Sequence, residues 1–348
     1  MHNLTDYSLN FNKDNLFDEN KVNLSLEKAG FYDTTHIFPI ASLQFELTSH
    51  CNMFCKHCYN NSGEFNKIAD KMTPQKWLDF ADYLVKKGGI FECILSGGEP
   101  FLLGDTLFEL MESLNRCNTI FMMLTNGYLL TKKNIRFLEK YKYHWFQISI
   151  DGATADYHDS FRNKQGSWAK AVNGAKLVSQ SNIPLKIAHC VTPYNINDID
   201  GMCKLAYSLG AKSIIVGEIS FSGRAALNKD LLLSPDQKKM LHDKVLNNAE
   251  RYKGIMRIKT TNSIISGLQR HKQKPNSTAV IRPNGDIRID GMAPFVIGNI
   301  LKDDFETIWK EKVFSAWSSH DIINYIENFD ENDKNNSYIN YVDKDTYL

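Results

Sequence analysis

The sequence predicts an α/β fold built on a parallel sheet, and three observations support this prediction. From Ser42 onward, short runs rich in β-branched and aromatic residues alternate with amphipathic stretches, a pattern typical of βαβ units. Turn-forming residues separate these runs. The chain has 348 residues, 43% hydrophobic and 23% charged. That is enough for one large barrel-type domain, or for a domain of about 200 residues with an appendage.

Six strand candidates follow one another along this region. They are Leu43–Thr48, Glu92–Ser96, Ile120–Thr125, Trp145–Ile150, Leu185–Val191 and Ser213–Glu218. Helices are predicted between them at Pro74–Lys87, Leu107–Asn115, Lys132–Lys140, Trp168–Ser181 and Ile199–Leu209. The first helix has Thr73 as a candidate N-cap, proline at its first position and Gly88 just beyond its end. Strands that alternate with helices favour right-handed crossovers around a parallel sheet.

The alternation ends after Arg224, where a different organisation begins. We expect a helix within Leu231–Tyr252, a β-like unit at Ala279–Ile289 around the turn Asn284-Gly285, and a helix at Phe305–Trp317. The chain is therefore divided into a polar N-terminal extension, a barrel, a smaller C-terminal domain and a loose polar tail. The expected boundaries are 1–41, 42–226, 227–326 and 327–348.

Charge and composition argue against several classes of function. Lys plus Arg number 41 and Asp plus Glu number 40, for a net charge of +1, which does not favour nucleic acid or an anionic membrane as partner. No window approaches the roughly 18 apolar residues of a membrane span, and the N-terminus lacks the apolar run of a secretory signal. Seven cysteines, three of them within eight residues, favour a metal site in the reducing cytoplasm over disulfides.

The three clustered cysteines are Cys51, Cys55 and Cys58, which directly follow the first predicted strand. Loops after strands form the functional face of a βα barrel. Thiolates at this spacing can reach three corners of one [4Fe–4S] cluster and leave its fourth iron without a protein ligand. A structural zinc site is the alternative, and it would need His50 or His57 as the fourth ligand. Spacing alone leaves both possibilities open.

A second motif, Ser96-Gly97-Gly98-Glu99-Pro100, ends the second predicted strand. Paired glycines allow the backbone to approach a ligand closely, and a carboxylate beside them can hold an ammonium group. The same residues also suit a tight turn at the end of a strand. The third and fourth predicted strands end in Thr125-Asn126-Gly127 and Ser149-Ile150-Asp151-Gly152.

Taken together, C-x3-C-x2-C followed by an aromatic residue and then by Gly-Gly-Glu resembles the signature of the radical S-adenosylmethionine (SAM) superfamily. The resemblance implies a partial (β/α)6 TIM-type barrel that carries one [4Fe–4S] cluster and SAM. In that family one electron splits the S–C5′ bond of SAM and gives methionine and a 5′-deoxyadenosyl radical. The cofactor supplies the difficult chemistry, and the protein supplies orientation and exclusion of water.

The same resemblance assigns expected roles to individual residues. It implies that the cluster ligands are Cys51, Cys55 and Cys58. Gly97, Gly98 and Glu99 are then expected to contact the methionine amino group of SAM. Ser149 and Arg162 are expected to bind the methionine carboxylate, and Tyr59 is expected to pack on adenine. Ordinary roles are also open for two of them, since Arg162 could be an exposed charge at a helix start and Tyr59 could be loop packing. Glu218 is the candidate polar group near the substrate, and the remaining cysteines, Cys93, Cys117, Cys190 and Cys203, are expected to be structural.

The C-terminal third resembles the SPASM/twitch subfamily, with one departure. Ser222-Gly223-Arg224-Ala225 is similar to its exit from the barrel. Its hairpin-and-helix pattern is matched by Ile281 to Asp290, with the turn at Gly285, then by Ile297-Gly298-Asn299-Ile300 and Ile308-Trp309. That domain normally carries cysteines for auxiliary clusters, but no cysteine follows Cys203 here. Asp290 stands where a ligand would be expected. We therefore expect a small α+β SPASM-like domain without clusters, whose hairpin edge binds a leader peptide by strand addition.

This resemblance implies abstraction of a C–H hydrogen from a ribosomally made peptide, which leads to a cross-link, an epimerisation or another rearrangement. The expected partners are a precursor peptide and a flavodoxin- or ferredoxin-type electron donor. One alternative is a radical SAM step on a small molecule in cofactor or nucleoside biosynthesis. A remote alternative is a non-catalytic iron–sulfur or zinc sensor, which would not cleave SAM.

Overall fold

A computed structural model describes residues 19–63, 69–220, 222–330 and 345–348. One sheet of eleven strands runs through this part of the chain, in the order β11-β10-β9-β8-β1-β2-β3-β4-β5-β6-β7. Its centre is six parallel neighbours: β1 (Ile40–Glu46), β2 (Ile90–Ser96), β3 (Ile120–Thr125), β4 (Lys142–Ser149), β5 (Leu185–Val191) and β6 (Ser213–Glu218). Because β6 pairs with β7 and not with β1, the described strands form the predicted partial barrel.

Helix α1 (Glu19–Lys28) lies at the inner side of the sheet, because its Val22 and Leu26 line one cavity with Ser42, Glu92 and Ile94. The helices on the outside are α2 (Pro74–Lys86), α3 (Asp105–Asn115), α4 (Lys132–Leu138), α5 (Ala155–Phe161), α6 (Ser167–Ser179) and α7 (Ile199–Ser208). Helix α2 begins as its sequence predicts, since the Thr73 hydroxyl accepts a hydrogen bond from the Lys76 amide and thereby satisfies one of the free donors of the first turn. Its Trp77 ring packs 5.2 Å from that of Phe45 on β1.

The inner face of the six parallel strands is partly open. Along each strand, residues buried under the helices alternate with half-buried residues on the other face. Glu218 is also half-buried, but it is in register with the buried Val191 and therefore lies on the helix-covered face. The half-buried set on the inner face is Ser42, Gln44, Glu92, Ile94, Met122, Leu124, Gln147, Ser149, Ala188, Cys190 and Ile215. A barrel filled by its own side chains would bury both faces. These residues therefore line a cavity inside the barrel, which we call the lumen.

The C-terminal third extends the same sheet at both edges. Its elements are α8 (Pro235–Arg251), β7 (Arg257–Lys259), α9 (Ile264–Gln273), β8 (Val280–Ile281), β9 (Asp286–Arg288), β10 (Phe295–Asn299), α10 (Phe305–Trp317), α11 (His320–Asn328) and β11 (Thr346–Tyr347). Strand β7 pairs with β6, and β8 pairs with β1, both in parallel. None of the described helices is long and apolar enough to cross a membrane.

All six predicted barrel strands and five helices are present, with ends that differ by up to three residues. Two expectations need correction. The hairpin edge is not free, because β8 pairs with β1 and β10 pairs with β11. Residues 345–348 are not a loose tail, because they form β11 on the sheet edge. Much of the N-terminal extension (1–18) and of the tail (331–344) lies outside the described residues, and the four domain boundaries stay predictions.

Candidate functional site

The cysteine loop, residues 47–63, leaves the carboxyl end of β1. Cys51, Cys55 and Cys58 are partly buried free thiols. Burial is the main cause that raises the pKa of Cys51 to about 11 and that of Cys55 to about 12. The charge of Glu99 and then the neighbouring thiol Cys58 add to the effect at Cys51, and Cys58 adds to it at Cys55. The thiols influence one another because the loop brings them to one place. A group bound there must supply the positive charge that converts them to thiolates.

The spacing of the sulfur atoms distinguishes between the two metal groups that the sequence left open. Among the described residues, the group of three possible ligands whose atoms all lie within 4.8 Å is His57, Asp151 and Cys190, so the three motif sulfurs are farther apart. Zinc with bonds of about 2.3 Å would need sulfurs about 3.8 Å apart, whereas a cuboidal cluster separates its ligands more widely. The donor set therefore fits a [4Fe–4S] cluster.

Neither histidine offered for zinc is placed to complete such a site. The side chain of His50 is 74% exposed and lies 4.0 Å from Asp70. His57 points to Asp151, with its Nε2 atom 3.4 Å from the carboxylate, and its ring stacks on Phe161 at a centroid distance of 3.9 Å. Burial lowers the pKa of His57 to about 3, so this imidazole is neutral at physiological pH.

The Gly-Gly-Glu motif packs against the backbone of the cysteine loop. The Gly98 amide donates to the Thr48 carbonyl at 2.7 Å, and the Glu99 amide donates to the His50 carbonyl at 2.9 Å. A Cβ atom on Gly98 would lie 1.9 Å from the His50 carbonyl oxygen, a separation that no side chain can adopt. The paired glycines therefore allow this motif to approach the backbone of the chain's own cysteine loop.

The Glu99 side chain is fully buried and joins the second strand end to the third. Its carboxylate accepts hydrogen bonds from the Thr125 hydroxyl at 2.7 Å, the Asn126 amide at 2.9 Å and the Phe101 amide at 3.3 Å. Burial raises its pKa above the ordinary value. The Asn126 side-chain amide in turn lies 3.8 Å from the Cys51 sulfur. The expected contact of Gly97, Gly98 and Glu99 with SAM stays a prediction.

A buried charge network lies beside the loop at the end of β4. The Nε and Nη2 atoms of Arg162 each lie 2.8 Å from one carboxylate oxygen of Asp151, and the other oxygen accepts the Cys190 amide at 2.9 Å. Burial alone would raise the pKa of Asp151, but Arg162 and the neighbouring histidines His57, His158 and His189 together outweigh it and hold that pKa well below its usual range. Arg162 is 6% exposed, so the alternative interpretation, in which it is an exposed charge at the start of a helix, is wrong.

The other two predicted SAM contacts differ in their surroundings. Ser149 is half-buried at the lumen end of β4, opposite Ala188. The Tyr59 hydroxyl is near Gln44 and Glu46, and burial, then the charge of Glu46, raises its pKa. Binding of SAM by Tyr59, Ser149 and Arg162 stays a prediction.

Residues 222–224, which were expected only to mark the exit from the barrel after β6, hold the back of the cysteine loop. The Arg224 amide and its Nε atom donate to the carbonyls of Cys58 and Cys55, each at 2.9 Å, and its guanidinium lies 3.7 Å from the centre of the Phe54 ring. A Cβ atom on Gly223 would lie 2.5 Å from two loop carbonyl oxygens. The motif Ser222-Gly223-Arg224-Ala225 was visible in the sequence, but nothing in it indicated this contact.

Three further expectations have mixed outcomes. Cys93, Cys117 and Cys203 are buried as expected. Cys190 is half-buried on the lumen face beside Asp151, and its structural assignment stays a prediction. Glu218 forms an ion pair with Lys238 at 3.0 Å. Both oxygens of Asp290 are engaged: one accepts the Met292 and Ala293 amides, and the other lies 3.0 Å from His271.

Comparisons with known proteins agree with this geometry. The model of the Radical SAM superfamily matches residues 45–206. The antilisterial bacteriocin subtilosin biosynthesis protein AlbA of Bacillus subtilis is 29% identical over 284 residues, which cover 79% of this chain and 61% of AlbA. The AdoMet-dependent heme synthase of Methanosarcina barkeri is 27% identical over 288 residues, or 77% of this chain and 81% of that protein. The chain thus spans less than two thirds of the length of AlbA.

Solved structures show the same fold. SuiB of Streptococcus suis, in its crystal structure bound to the precursor peptide SuiA, superposes with a TM-score of 0.64. The match covers 90% of this chain and 73% of SuiB at 15% sequence identity. The fold is therefore that of SuiB, a TIM-like α/β architecture.

Proposed function

This chain carries a radical SAM domain over residues 45–206, and from that premise we propose that it is a peptide maturase that removes a hydrogen atom from a C–H bond of a ribosomally made peptide. The cofactors of the domain are one [4Fe–4S] cluster and SAM. Subsequent cross-linking, epimerisation or another rearrangement would give the product.

One observation carries the proposal: three free thiols lie at the carboxyl end of an open lumen. Cys51, Cys55 and Cys58 would hold the cluster, which together with SAM supplies the 5′-deoxyadenosyl radical that takes the hydrogen atom. The chain's own residues do the rest. Arg224 and the Gly-Gly-Glu backbone fix the loop, and the half-buried inner faces of the strands give a substrate segment room beside it.

Two relatives support a peptide as the substrate. AlbA is named for the biosynthesis of the bacteriocin subtilosin, and SuiB was crystallised with its precursor peptide. A small-molecule substrate is the second candidate, because the heme synthase is nearly as similar and its match spans most of its length.

The proposal includes a single cluster and an external electron source. All seven cysteines are free thiols, and among the described residues no group of possible ligands contains two of the four cysteines outside the loop, since Cys190 lies only with His57 and Asp151. We expect a flavodoxin- or ferredoxin-type protein to deliver the electron in the reducing cytoplasm. The inferred absence of clusters from residues 227–326 belongs to the same proposal.

Anaerobic reconstitution tests this function. The loaded protein should contain about four iron atoms per chain, as expected for one cluster. On addition of dithionite and SAM it should release 5′-deoxyadenosine. Mass analysis of small peptides encoded near its gene should then show a modified product. Bound zinc, or no 5′-deoxyadenosine, would refute the proposal, and turnover of a tetrapyrrole but of no peptide would favour the second candidate.

A further inference from the structure

Four charged side chains are buried together where the C-terminus meets the barrel. Arg282 and Arg288 are each 1% exposed, Glu46 is 2% exposed and Asp345 is 6% exposed. Arg282 lies 3.2 Å from Glu46 through Nε and 3.2 Å from Asp345 through Nη1, and Arg288 lies 3.4 Å from the other oxygen of Asp345. Two positive and two negative charges therefore balance inside the protein.

This balance depends on the last four residues of the chain. Strand β11 holds Asp345 in place, since the Thr346 amide donates to Pro294 at 2.6 Å and the Leu348 amide donates to Val296 at 2.9 Å. The Tyr347 hydroxyl also donates to Asp286 at 3.0 Å. We call residues 345–348 the C-terminal latch. Without Asp345 two buried guanidinium groups would face one carboxylate, and an uncompensated buried charge is strongly unfavourable.

The network reaches directly into the cysteine loop. The Nη2 atom of Arg282 donates to the Asn60 side chain at 3.1 Å, and Asn60 follows the expected ligand Cys58 by two positions. Glu46 ends β1, the strand from which the loop departs, and its charge acts on Tyr59. The Pro283 carbonyl accepts the amides of Lys71 and Met72, each at 2.8 Å. Any shift of Arg282 would therefore move the loop.

We infer that Asp345 is a positioning residue for the cysteine loop, which it orients through Arg282 and Asn60. The inference depends on the proposed function in one respect only, which is the identity of the group that the loop binds. It gives the C-terminal latch a role in the site, in a position more than 280 residues from the cysteines in sequence.

Hydrogen exchange on the full-length reconstituted chain tests this inference. Asp345→Asn should speed exchange of the loop amides 51–63 by about tenfold, because charged hydrogen bonds are lost, and should raise the SAM dissociation constant at unchanged iron content. Asp79→Asn, the same change at an exposed carboxylate on α2, should do neither. Faster exchange confined to α10 and β10, with the loop unchanged, would overturn the inference.

A second variant keeps the test decisive if Asp345→Asn folds poorly. Asn60→Ala leaves both arginines with their carboxylates but cuts the link to the loop. On its own it should speed exchange of the loop amides and leave exchange of residues 346–348 unchanged, and an unchanged loop would contradict the relay. Where both variants fold, their effects on loop exchange should not be additive in a double-mutant cycle. The hydrogen-exchange measurement is repeated on cluster-free protein to separate two outcomes. If Asp345→Asn speeds exchange of the loop amides but the wild-type protein does not cleave SAM, only the proposed function is refuted.

Discussion

At the scale of single residues, Arg224 holds the cysteine loop from a distant part of the sequence. Its amide and guanidinium bond two carbonyls that adjoin expected ligands, and its plane covers Phe54. A guanidinium can bond and stack at once, which an ammonium group cannot. Arg224 therefore fixes the cysteine loop through contacts within the chain itself.

Arg224→Lys should lower the free energy of unfolding by about 2 kcal/mol, because hydrogen bonds of a charged group are lost. It should also speed alkylation of the three loop thiols in cluster-free protein. Arg116→Lys is the control, since Arg116 forms an exposed pair with Asp82 at 2.8 Å and such pairs are worth about 0–1 kcal/mol. Equal effects of both variants on alkylation would contradict the role of Arg224.

Asp290 gives a prediction that depends on pH. Burial alone would raise its pKa, but the hydrogen bond and charge of His271 and two backbone amides lower it from 3.8 to about 2. A depressed carboxylate pKa stabilises the fold above the unfolded value and loses that contribution as pH falls through the folded value. Asp290→Asn should thus be less stable by about 2 kcal/mol at neutral pH.

The difference between this variant and the wild type should shrink as pH falls from about 4 to about 2. Urea unfolding at several pH values measures it. A gap that stays constant through this range would show that the charge of Asp290 adds no stability.

At the scale of elements, the barrel was predictable because each strand and helix carries its own local pattern. Strand β3 has buried residues at alternate positions between turn formers, and α2 has a cap and a proline start. Strands β7 and β11 have only three and two residues, too few for any periodicity to be read. They exist because a longer neighbouring strand provides the edge on which they pair.

The residues of the candidate site also fall into two groups, those that could be predicted from the sequence and those that could not. Cys51, Cys55 and Cys58 were predictable, because their spacing lies within one loop. The contacts of Arg162 with Asp151, of Arg224 with Cys55 and of Asp345 with Arg282 arise from tertiary packing. No local pattern encodes which distant residues meet.

The Gly-Gly-Glu turn gives a prediction at this scale. Gly98→Ala should prevent normal docking of the cysteine loop, since its Cβ atom would overlap the His50 carbonyl, and iron content after reconstitution should fall sharply. Gly267→Ala is the matched control: its Cβ atom would meet nothing within 4 Å, and alanine in helix α9 should be more stable by about 0.5–1 kcal/mol. Full iron loading of Gly98→Ala would contradict this account of the turn.

At the scale of the whole molecule, the barrel joins a rigid outer shell to an open interior. Its outer strand faces pack on helices in one continuous core, whereas the lumen residues stay half-buried. The outer faces of the strands therefore stabilise the fold, and the inner faces of the same strands leave room for a substrate.

Substitutions on these two faces should have different effects. Ile94→Trp adds an indole to the lumen and should lower peptide turnover about tenfold or more, a steric cost of at least about 1.4 kcal/mol. Release of 5′-deoxyadenosine without peptide should be unchanged. Leu95→Met, on the adjoining buried position of β2, should cost less than about 1.5 kcal/mol of stability and leave turnover intact. Chromatography of both products distinguishes these outcomes.

The pairing of β1 with β8 has a consequence for synthesis of the chain. Gln44 pairs with Val280, which the ribosome adds 236 positions later, a delay of roughly 12–47 s at typical elongation rates. During that interval one side of the first barrel strand has no partner, and unpaired strand edges promote aggregation. Nascent chains of this protein should therefore depend on chaperones until the C-terminal third has emerged, and a ribosome-stalled product that ends before residue 280 should associate with them.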